Sequence, residues 1–254
     1  MRILVTRPQP DAAAFAAVLA ARGIDSMQEP LLDVRFGISA LPALEGVQAV
    51  LLTSANGVRA LRAACAGGLP PALSGLPAWA VGAASAQAAT EAGFAAVRHA
   101  DGDAAALAAA VAEALSPAAG ALLHVRAQHV AGDLSGALER RGFVIRPALL
   151  YATQPRPALS PAVQRALRNG SLDGVALFSP RTAKAFARLL ASAGLDGHAG
   201  EIDAFCLSRA VAGAAAAGLA WRDVHVAQAP RSEVLADLVA ATAARGNRLQ
   251  GVRT

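Results

Sequence analysis

Hydroxyl side chains recur where an apolar run meets an Ala-rich helical stretch, at Thr53, Ser54, Ser85, Ser179 and Ser208. Ser and Thr at such positions commonly cap helices. The free N–H groups and the positive dipole end of a helix N-terminus also bind carboxylates. In a parallel sheet these helix starts share the carboxyl edge, where ligands bind. The pattern therefore predicts either simple caps or an edge that binds anions.

Tyr151 is the only tyrosine of the chain and ends the apolar run Ala148–Tyr151, just before a Pro-rich stretch at 152–157. It fits either a packed strand aromatic or a phenol that donates a proton to a ligand. An ordinary pKa near 10 keeps a tyrosine protonated at neutral pH, so it is a weak proton donor there.

The charge balance favours an acidic partner, because the net charge is +5 and Lys184 is the only lysine among 23 basic residues. The planar fork of arginine binds carboxylates through two hydrogen bonds. The basic residues are scattered and aromatic residues make up only 4%. Nucleic-acid binding is therefore not expected. An acidic small molecule comes first as the partner, and the charge alone fits a merely basic surface equally well.

Several classes of site are missing from the sequence. It has no glycine-rich dinucleotide fingerprint, no P-loop and no Gly-x-Ser-x-Gly motif. His124 and His129 are the closest histidines, but no third ligand stands beside them. We therefore expect no metal and no cofactor. The longest apolar run, Ala104–Ala112, is too short to span a membrane, and the N-terminus lacks a signal-peptide core. A cytoplasmic location is expected.

The remaining pattern alternates short apolar runs with helical stretches that end at glycine, which predicts an α/β fold with parallel sheets. Val47–Leu52 and Leu172–Phe178 match at an offset of 125 residues, as do the helix ends Gly93 and Gly218. An offset of 119 relates Gly23 to Gly142. The repeat predicts two similar domains with crossovers near 33–46 and 151–160. The pattern alone leaves open whether the first βαβ segment joins the middle or the last block.

An ordered set of short motifs makes the chain resemble the uroporphyrinogen-III synthase family. The set spans nearly the whole chain and comprises Ile3–Pro8, Pro30–Leu32, Leu52–Val58, Val81–Ala86, Gly132–Leu134, Leu149–Tyr151, Phe178–Pro180 and Cys206–Ser208. Two positions depart from the family pattern. Ala127 follows Arg126 where glycine is common, and Ser208 is followed by Arg209 rather than by the threonine of some members.

The resemblance implies two Rossmann-like domains joined by a two-stranded hinge. One comprises residues 1–33 and 153–244 and the other residues 36–150, with a flexible tail at 245–254. The implied reaction cyclises hydroxymethylbilane, a linear tetrapyrrole with eight carboxylates, to uroporphyrinogen III. It inverts ring D, releases water and needs no cofactor. Tyr151 would assist loss of the hydroxyl group. Substrate carboxylates would bind at Arg7, Thr53, Ser54, Ser85, Arg126, Ser179 and Ser208.

A monomer without membrane or nucleic-acid partners is expected. Two other classes of function remain open from the residues. One is a non-catalytic two-domain hinge protein that binds a small polyanion. The other is a nucleotide-sugar transferase, which also uses twin α/β domains but in a longer chain. Turnover of hydroxymethylbilane separates the enzyme from the binding protein.

Overall fold

The computed structural model of the chain describes residues 1–100, 103–128 and 132–250, so His129 lies outside the described residues. Its strands are β1 (Arg2–Val5), β2 (Asp25–Gln28), β3 (Leu32–Phe36), β4 (Val47–Leu52), β5 (Ala78–Val81), β6 (Val97–Ala100), β7 (Ala121–Ala127), β8 (Ile145–Pro155), β9 (Gly174–Leu177), β10 (Asp203–Cys206) and β11 (Asp223–Val226). Its α-helices are α1 (Asp11–Ala20), α2 (Ala55–Ala64), α3 (Pro71–Ser74), α4 (Gly82–Ala92), α5 (Ala104–Ala114), α6 (Leu134–Glu139), α7 (Pro161–Arg168), α8 (Pro180–Ser192), α9 (Arg209–Ala216) and α10 (Ser232–Gln250).

The chain folds as two compact units. Unit 1 comprises Met1–Asp33 and Pro155–Thr254, and unit 2 comprises Val34–Gln154. Each unit is built on its own sheet, and strands and helices alternate along the chain, which confirms the predicted fold class.

Unit 1 contains a five-stranded sheet in the order β11-β10-β9-β1-β2, in which every neighbouring pair is parallel. Strand β1 pairs with β9, Ile3 lying opposite Gly174. The first βαβ segment therefore shares a sheet with the C-terminal half. Apolar side chains of α1 and α10 cover one face of this sheet, with Phe15 and Leu235 packed beside Phe205. Helices α7, α8 and α9 supply the core of the other face.

Unit 2 contains a six-stranded sheet in the order β3-β8-β7-β4-β5-β6, and the strands from β8 to β6 pair in parallel. Helices α2, α3 and α4 pack on one face, and α5 and α6 pack on the other. The order β8-β7-β4-β5-β6 in this sheet corresponds, strand by strand, to the order β2-β1-β9-β10-β11 in unit 1. The two sheets thus repeat one arrangement of five parallel strands, as the offsets in the sequence predicted.

The chain passes between the units within β3 and β8, which are hydrogen-bonded neighbours. The backbone N–H of Gly37 donates to the carbonyl of Leu150 at 3.0 Å, and that of Arg156 donates to Leu31 at 2.9 Å. The sequence predicted a crossover near 151–160 and the family resemblance a two-stranded hinge; β8, which continues to Pro155, is one of its two strands and β3 is the other.

The C-terminal segment is helical further along the chain than the sequence predicted. Helix α10 continues to Gln250, whereas a flexible tail was predicted from residue 245, and residues 251–254 lie outside the described range. The segment from 232 to 250 contains one glycine and no proline. One glycine costs a helix only about 1 kcal/mol, so it does not force the helix to end. Within the described residues, no helix has the length and apolarity needed to cross a membrane.

Candidate functional site

Each sheet has one point where the order of its strands reverses, and ligands of open parallel sheets bind at the carboxyl end of that point. In unit 1 it lies between β1 and β9, and in unit 2 between β7 and β4. Arg7 follows β1 and Ser179 follows β9, while Arg126 stands near the end of β7 and Ser54 follows β4. The structure therefore places one predicted arginine and one predicted serine at each reversal point.

Three of the predicted hydroxyl residues are helix N-caps. Ser54 Oγ accepts a hydrogen bond from the N–H of Asn56 at 3.1 Å. Ser179 Oγ accepts one from the N–H of Thr182 at 3.1 Å and also bonds its hydroxyl at 2.7 Å. Ser208 Oγ accepts one from the N–H of Val211 at 3.4 Å. The cap interpretation is confirmed for these three. Because a cap satisfies only part of the N–H groups of a first turn, the others face the same edge.

The other two hydroxyl residues differ from the caps. Thr53 directly precedes the cap Ser54 and directly follows β4, whose last residue, Leu52, lies opposite Val125 of β7. Ser85 does not open a helix, so its interpretation as a cap was wrong. Helix α4 already begins at Gly82, whose φ of +73° lets the backbone turn from strand to helix at once. Ser85 consequently lies inside the helix and is 6% exposed.

Arg7 holds together several elements of unit 1. Its Nη1 donates to Ser232 Oγ at 3.0 Å, at the start of α10, and its Nη2 lies 3.4 Å from Oδ2 of Asp11, at the start of α1. The guanidinium carbon lies 4.6 Å from the centre of the Phe178 ring, a distance at which a cation attracts the face of an aromatic ring. Arg7 is therefore fixed in position beside the Ser179 cap.

Arg126 occupies the corresponding place in unit 2 with different surroundings. Its Nε is buried and meets no hydrogen-bond acceptor among the described residues. His124, two residues earlier on β7, is 2% exposed, and its Nδ1 lies 2.9 Å from Ser135 Oγ. Burial, and then the nearby Arg126 charge, lower the pKa of His124 to about 4. His124 is therefore neutral at physiological pH, and Arg126 places a cation near this edge.

Tyr151 lies within β8, packed in the core of unit 2, and is 5% exposed. A Cβ placed on Gly57 would stand 3.8 Å from Cε1 of Tyr151. Gly57 belongs to the first turn of α2, whose cap is Ser54. The structure thus brings the Tyr151 ring next to the helix start that Ser54 caps. The sequence motif contained Gly57, but the contact with Tyr151 was not predicted.

Unit 1 contains a cavity of about 340 Å³ at the carboxyl ends of β10 and β11. Ser208 lines it, together with Arg209 and Gln228, neither of which was predicted as a site residue. The position of Arg209 directly after a strand-end serine was the available signal. Across the described part of the chain, no three His, Cys, Asp or Glu side chains are grouped so as to hold a metal ion.

Fold and site together define a class: a parallel α/β protein of two topologically equivalent units, each with an arginine beside a serine-capped helix start. Residues 13–237 match the family model described as Uroporphyrinogen-III synthase HemD. The chain belongs to this family and functions in tetrapyrrole biosynthesis, as the sequence motifs predicted.

Solved structures support the same fold. A mutant uroporphyrinogen III synthase from the extremely thermophilic bacterium Thermus thermophilus is 20% identical, with a TM-score of 0.58, covering 98% of this chain and 99% of that one. The uroporphyrinogen-III synthetase of Helicobacter pylori is 18% identical, with a TM-score of 0.64, covering 95% of this chain and 100% of that one. The comparison with curated proteins found no match.

Proposed function

We propose that this chain converts hydroxymethylbilane to uroporphyrinogen III as a carbon–oxygen lyase that closes the ring and releases one molecule of water. The observation that carries the proposal is the repeated pairing of a strand-end arginine with a serine-capped helix start, in a member of this family. The substrate is a polycarboxylate, and each such edge offers groups that bind carboxylates.

The proposed roles follow from the chemistry of the two edges. Guanidinium groups and the N–H groups of first helical turns bind carboxylates. Arg7, Ser179 and Ser208 would act in unit 1, and Arg126, Thr53 and Ser54 in unit 2. Ser85, buried inside α4, would contribute through its place in that helix rather than as a cap. Holding the carboxylates orients the two ends of the substrate for ring closure, which is catalysis by positioning.

The chemical step begins at the hydroxymethyl carbon. A proton adds to the hydroxyl oxygen, the C–O bond breaks, and water departs. The pyrrole ring that remains is an azafulvene electrophile. The substituted carbon of ring D attacks it and forms a spiro intermediate, which fragments and closes again with ring D inverted. Loss of a proton restores the balance, so the net change is the release of one water. Tyr151 would donate the proton to the leaving hydroxyl, since a phenol is a proton donor at neutral pH.

The experiment that tests the proposal incubates the protein with hydroxymethylbilane and separates the oxidised porphyrin products by isomer. We expect the type III isomer in excess over a control without protein. Formation of the type I isomer alone, at the spontaneous rate, would instead favour a binding protein without catalysis.

The monomeric state and the cytoplasmic location remain predictions. Sedimentation velocity of the purified chain checks the first, and immunodetection in fractionated cells checks the second. We also propose no nucleic-acid partner, which a gel-shift assay at low salt checks.

A further inference from the structure

The cavity of unit 1 has an unusual charge at its rim. Seven residues line its volume of about 340 Å³, and Arg209 is the only charged side chain among them. No lining residue is acidic, and Gln228 adds an amide that can donate hydrogen bonds. The volume lies within the range of small-molecule sites. The lining therefore suits a small anion.

Arg209 stands where a cation does not help the fold. It is the first residue of α9, directly after the cap Ser208. A positive charge at a helix N-terminus opposes the helix dipole and costs about 0.3–1 kcal/mol. Arg209 is exposed, and within the described residues its guanidinium makes no hydrogen bond or ion pair. Nothing in its surroundings compensates for this placement.

We propose that Arg209 is a substrate-binding residue that holds one carboxylate-bearing side chain of the tetrapyrrole in this cavity. The inference rests on the proposed function and adds to it a side chain and a place for one particular carboxylate. The guanidinium fork meets the carboxylate from the rim, while the N–H groups of the first turn of α9 meet it from the cavity wall. Two unfavourable features, an unpaired cation and a positively charged helix start, become favourable once the anion is bound.

Kinetic measurements on Arg209→Gln, Arg209→Lys and the control Arg188→Gln test the proposal. Arg188 is an exposed residue of α8 in the same unit, so its substitution changes the net charge equally. We expect Arg209→Gln to raise the KM for hydroxymethylbilane about tenfold, the size of one lost charge-assisted bond. The value of kcat should change little, because an anchor distant from the reacting atoms stabilises substrate and transition state alike. Arg209→Lys should recover part of the loss.

A binding measurement gives a readout that does not need turnover. Uroporphyrin III, with eight carboxylates, and coproporphyrin III, with four, are titrated against each variant while porphyrin fluorescence is followed. Loss of uroporphyrin affinity alone assigns the cavity to an acetate side chain, and loss of both affinities assigns it to a propionate. High salt should reduce the difference in porphyrin affinity between the wild type and Arg209→Gln, because it screens the charge of the guanidinium.

The outcomes separate this inference from the proposed function. If the wild type forms no type III isomer, the proposed function fails. If the wild type is active but Arg209→Gln behaves like Arg188→Gln in KM and in both titrations, only the inference about Arg209 is overturned. Thermal unfolding guards against misfolding, and we expect no loss of stability, because removing a cation from a helix start is neutral or favourable.

Discussion

Gly57 lies against Tyr151, so that a Cβ on the glycine would stand 3.8 Å from Cε1 of the tyrosine ring and 3.5 Å from Cγ1 of Val125. These are ordinary van der Waals separations, and a small side chain fits there without displacing its neighbours. The contact joins the start of α2 to β8 within unit 2. It connects the helix start capped by Ser54 with the proposed proton donor.

Replacing Gly57 with alanine should stabilise the protein by about 0.5–1 kcal/mol, because alanine loses less backbone entropy in a helix. Gly57→Leu should instead cost about 1–3 kcal/mol, since its larger side chain must displace Val125 or Tyr151. Urea unfolding measures both. Gly213→Ala, in α9 with open space around it, isolates the effect of helix propensity. A loss of stability in Gly57→Ala would mean that the Tyr151 ring lies closer to Gly57 than the distance of 3.8 Å indicates.

Tyr151→Phe should lower the rate of type III formation about 10²-fold, the lower end of what general acid catalysis supplies. The substrate's own carboxylates can partly replace the donor, which keeps the effect at that end. The buried ring is retained, so its packing should survive, and thermal unfolding measures what the hydroxyl group adds to stability. Quenched assays with isomer separation measure the rate. An unchanged rate of type III formation would make Tyr151 a packing residue, and the acid would then be water or the substrate.

Single Ser→Ala changes at the helix caps Ser54, Ser179 and Ser208 should each reduce activity only modestly. A lost hydroxyl bond is worth about 0.5–1.5 kcal/mol, and the backbone N–H groups remain in place. Loss of the cap should also lower stability by about 0.5–2 kcal/mol. Steady-state kinetics and urea unfolding measure the two effects. Ser85→Ala is a useful comparison, because Ser85 is not a cap. A thousandfold loss from any one of these changes, with stability intact, would contradict distributed binding.

The limits of the sequence prediction are visible in particular strands. The strands β4 and β9 were predicted, at Val47–Leu52 and Leu172–Phe178, because their apolar runs are buried on both faces of a sheet. The edge strand β2, Asp-Ser-Met-Gln, was missed because it has no apolar run, and pairing with β1 alone holds it in the sheet. Local pattern cannot reveal a strand that depends on a distant partner.

The same limit applies to the site. Strand-end serines are readable because capping is a local interaction, and three of them cap helices. The prediction that Ser85 caps a helix was wrong because the start of α4 depends on the backbone conformation of Gly82. A glycine can adopt this conformation but need not, so the sequence does not reveal it. The bond between Arg7 and Ser232 joins residues 225 apart, so no short motif contains it.

His124 should make stability fall on acidification. Its pKa is about 4 in the folded protein, because of burial and the Arg126 charge, against an ordinary 6.5. As the pH drops below 6.5, the unfolded chain therefore takes up a proton at His124 before the folded protein does. The free energy of unfolding falls for this reason by about 2 kcal/mol at pH 5 and by about 3 kcal/mol at pH 4. The contribution of neutral His124 to the free energy of unfolding is present above pH 6.5. Its loss levels off once the pH falls below the pKa of His124 in the folded protein.

Urea unfolding of His124→Val and of the wild type between about pH 4 and pH 7.5 measures this contribution. Val5 ends β1, the strand of unit 1 that corresponds to β7, and it matches His124 at the same offset of 119 residues that relates Gly23 to Gly142. The valine variant should lose less stability than the wild type between about pH 7 and pH 5. Equal losses in wild type and His124→Val would show that His124 does not resist protonation.

Arg7 and Arg126 occupy corresponding positions, yet their substitution should have opposite consequences. Arg7→Gln breaks contacts with Ser232, Asp11 and Phe178, which should cost about 2 kcal/mol of stability. The Nε of Arg126 meets no acceptor in the described part of the chain, so Arg126→Gln should leave stability nearly unchanged. It should instead weaken the binding of uroporphyrin III about tenfold, with less weakening at high salt. Urea unfolding and fluorescence titration of both variants measure these effects. If Arg126→Gln destabilised the protein as much as Arg7→Gln and left porphyrin affinity unchanged, Arg126 would be a structural residue rather than an anion anchor.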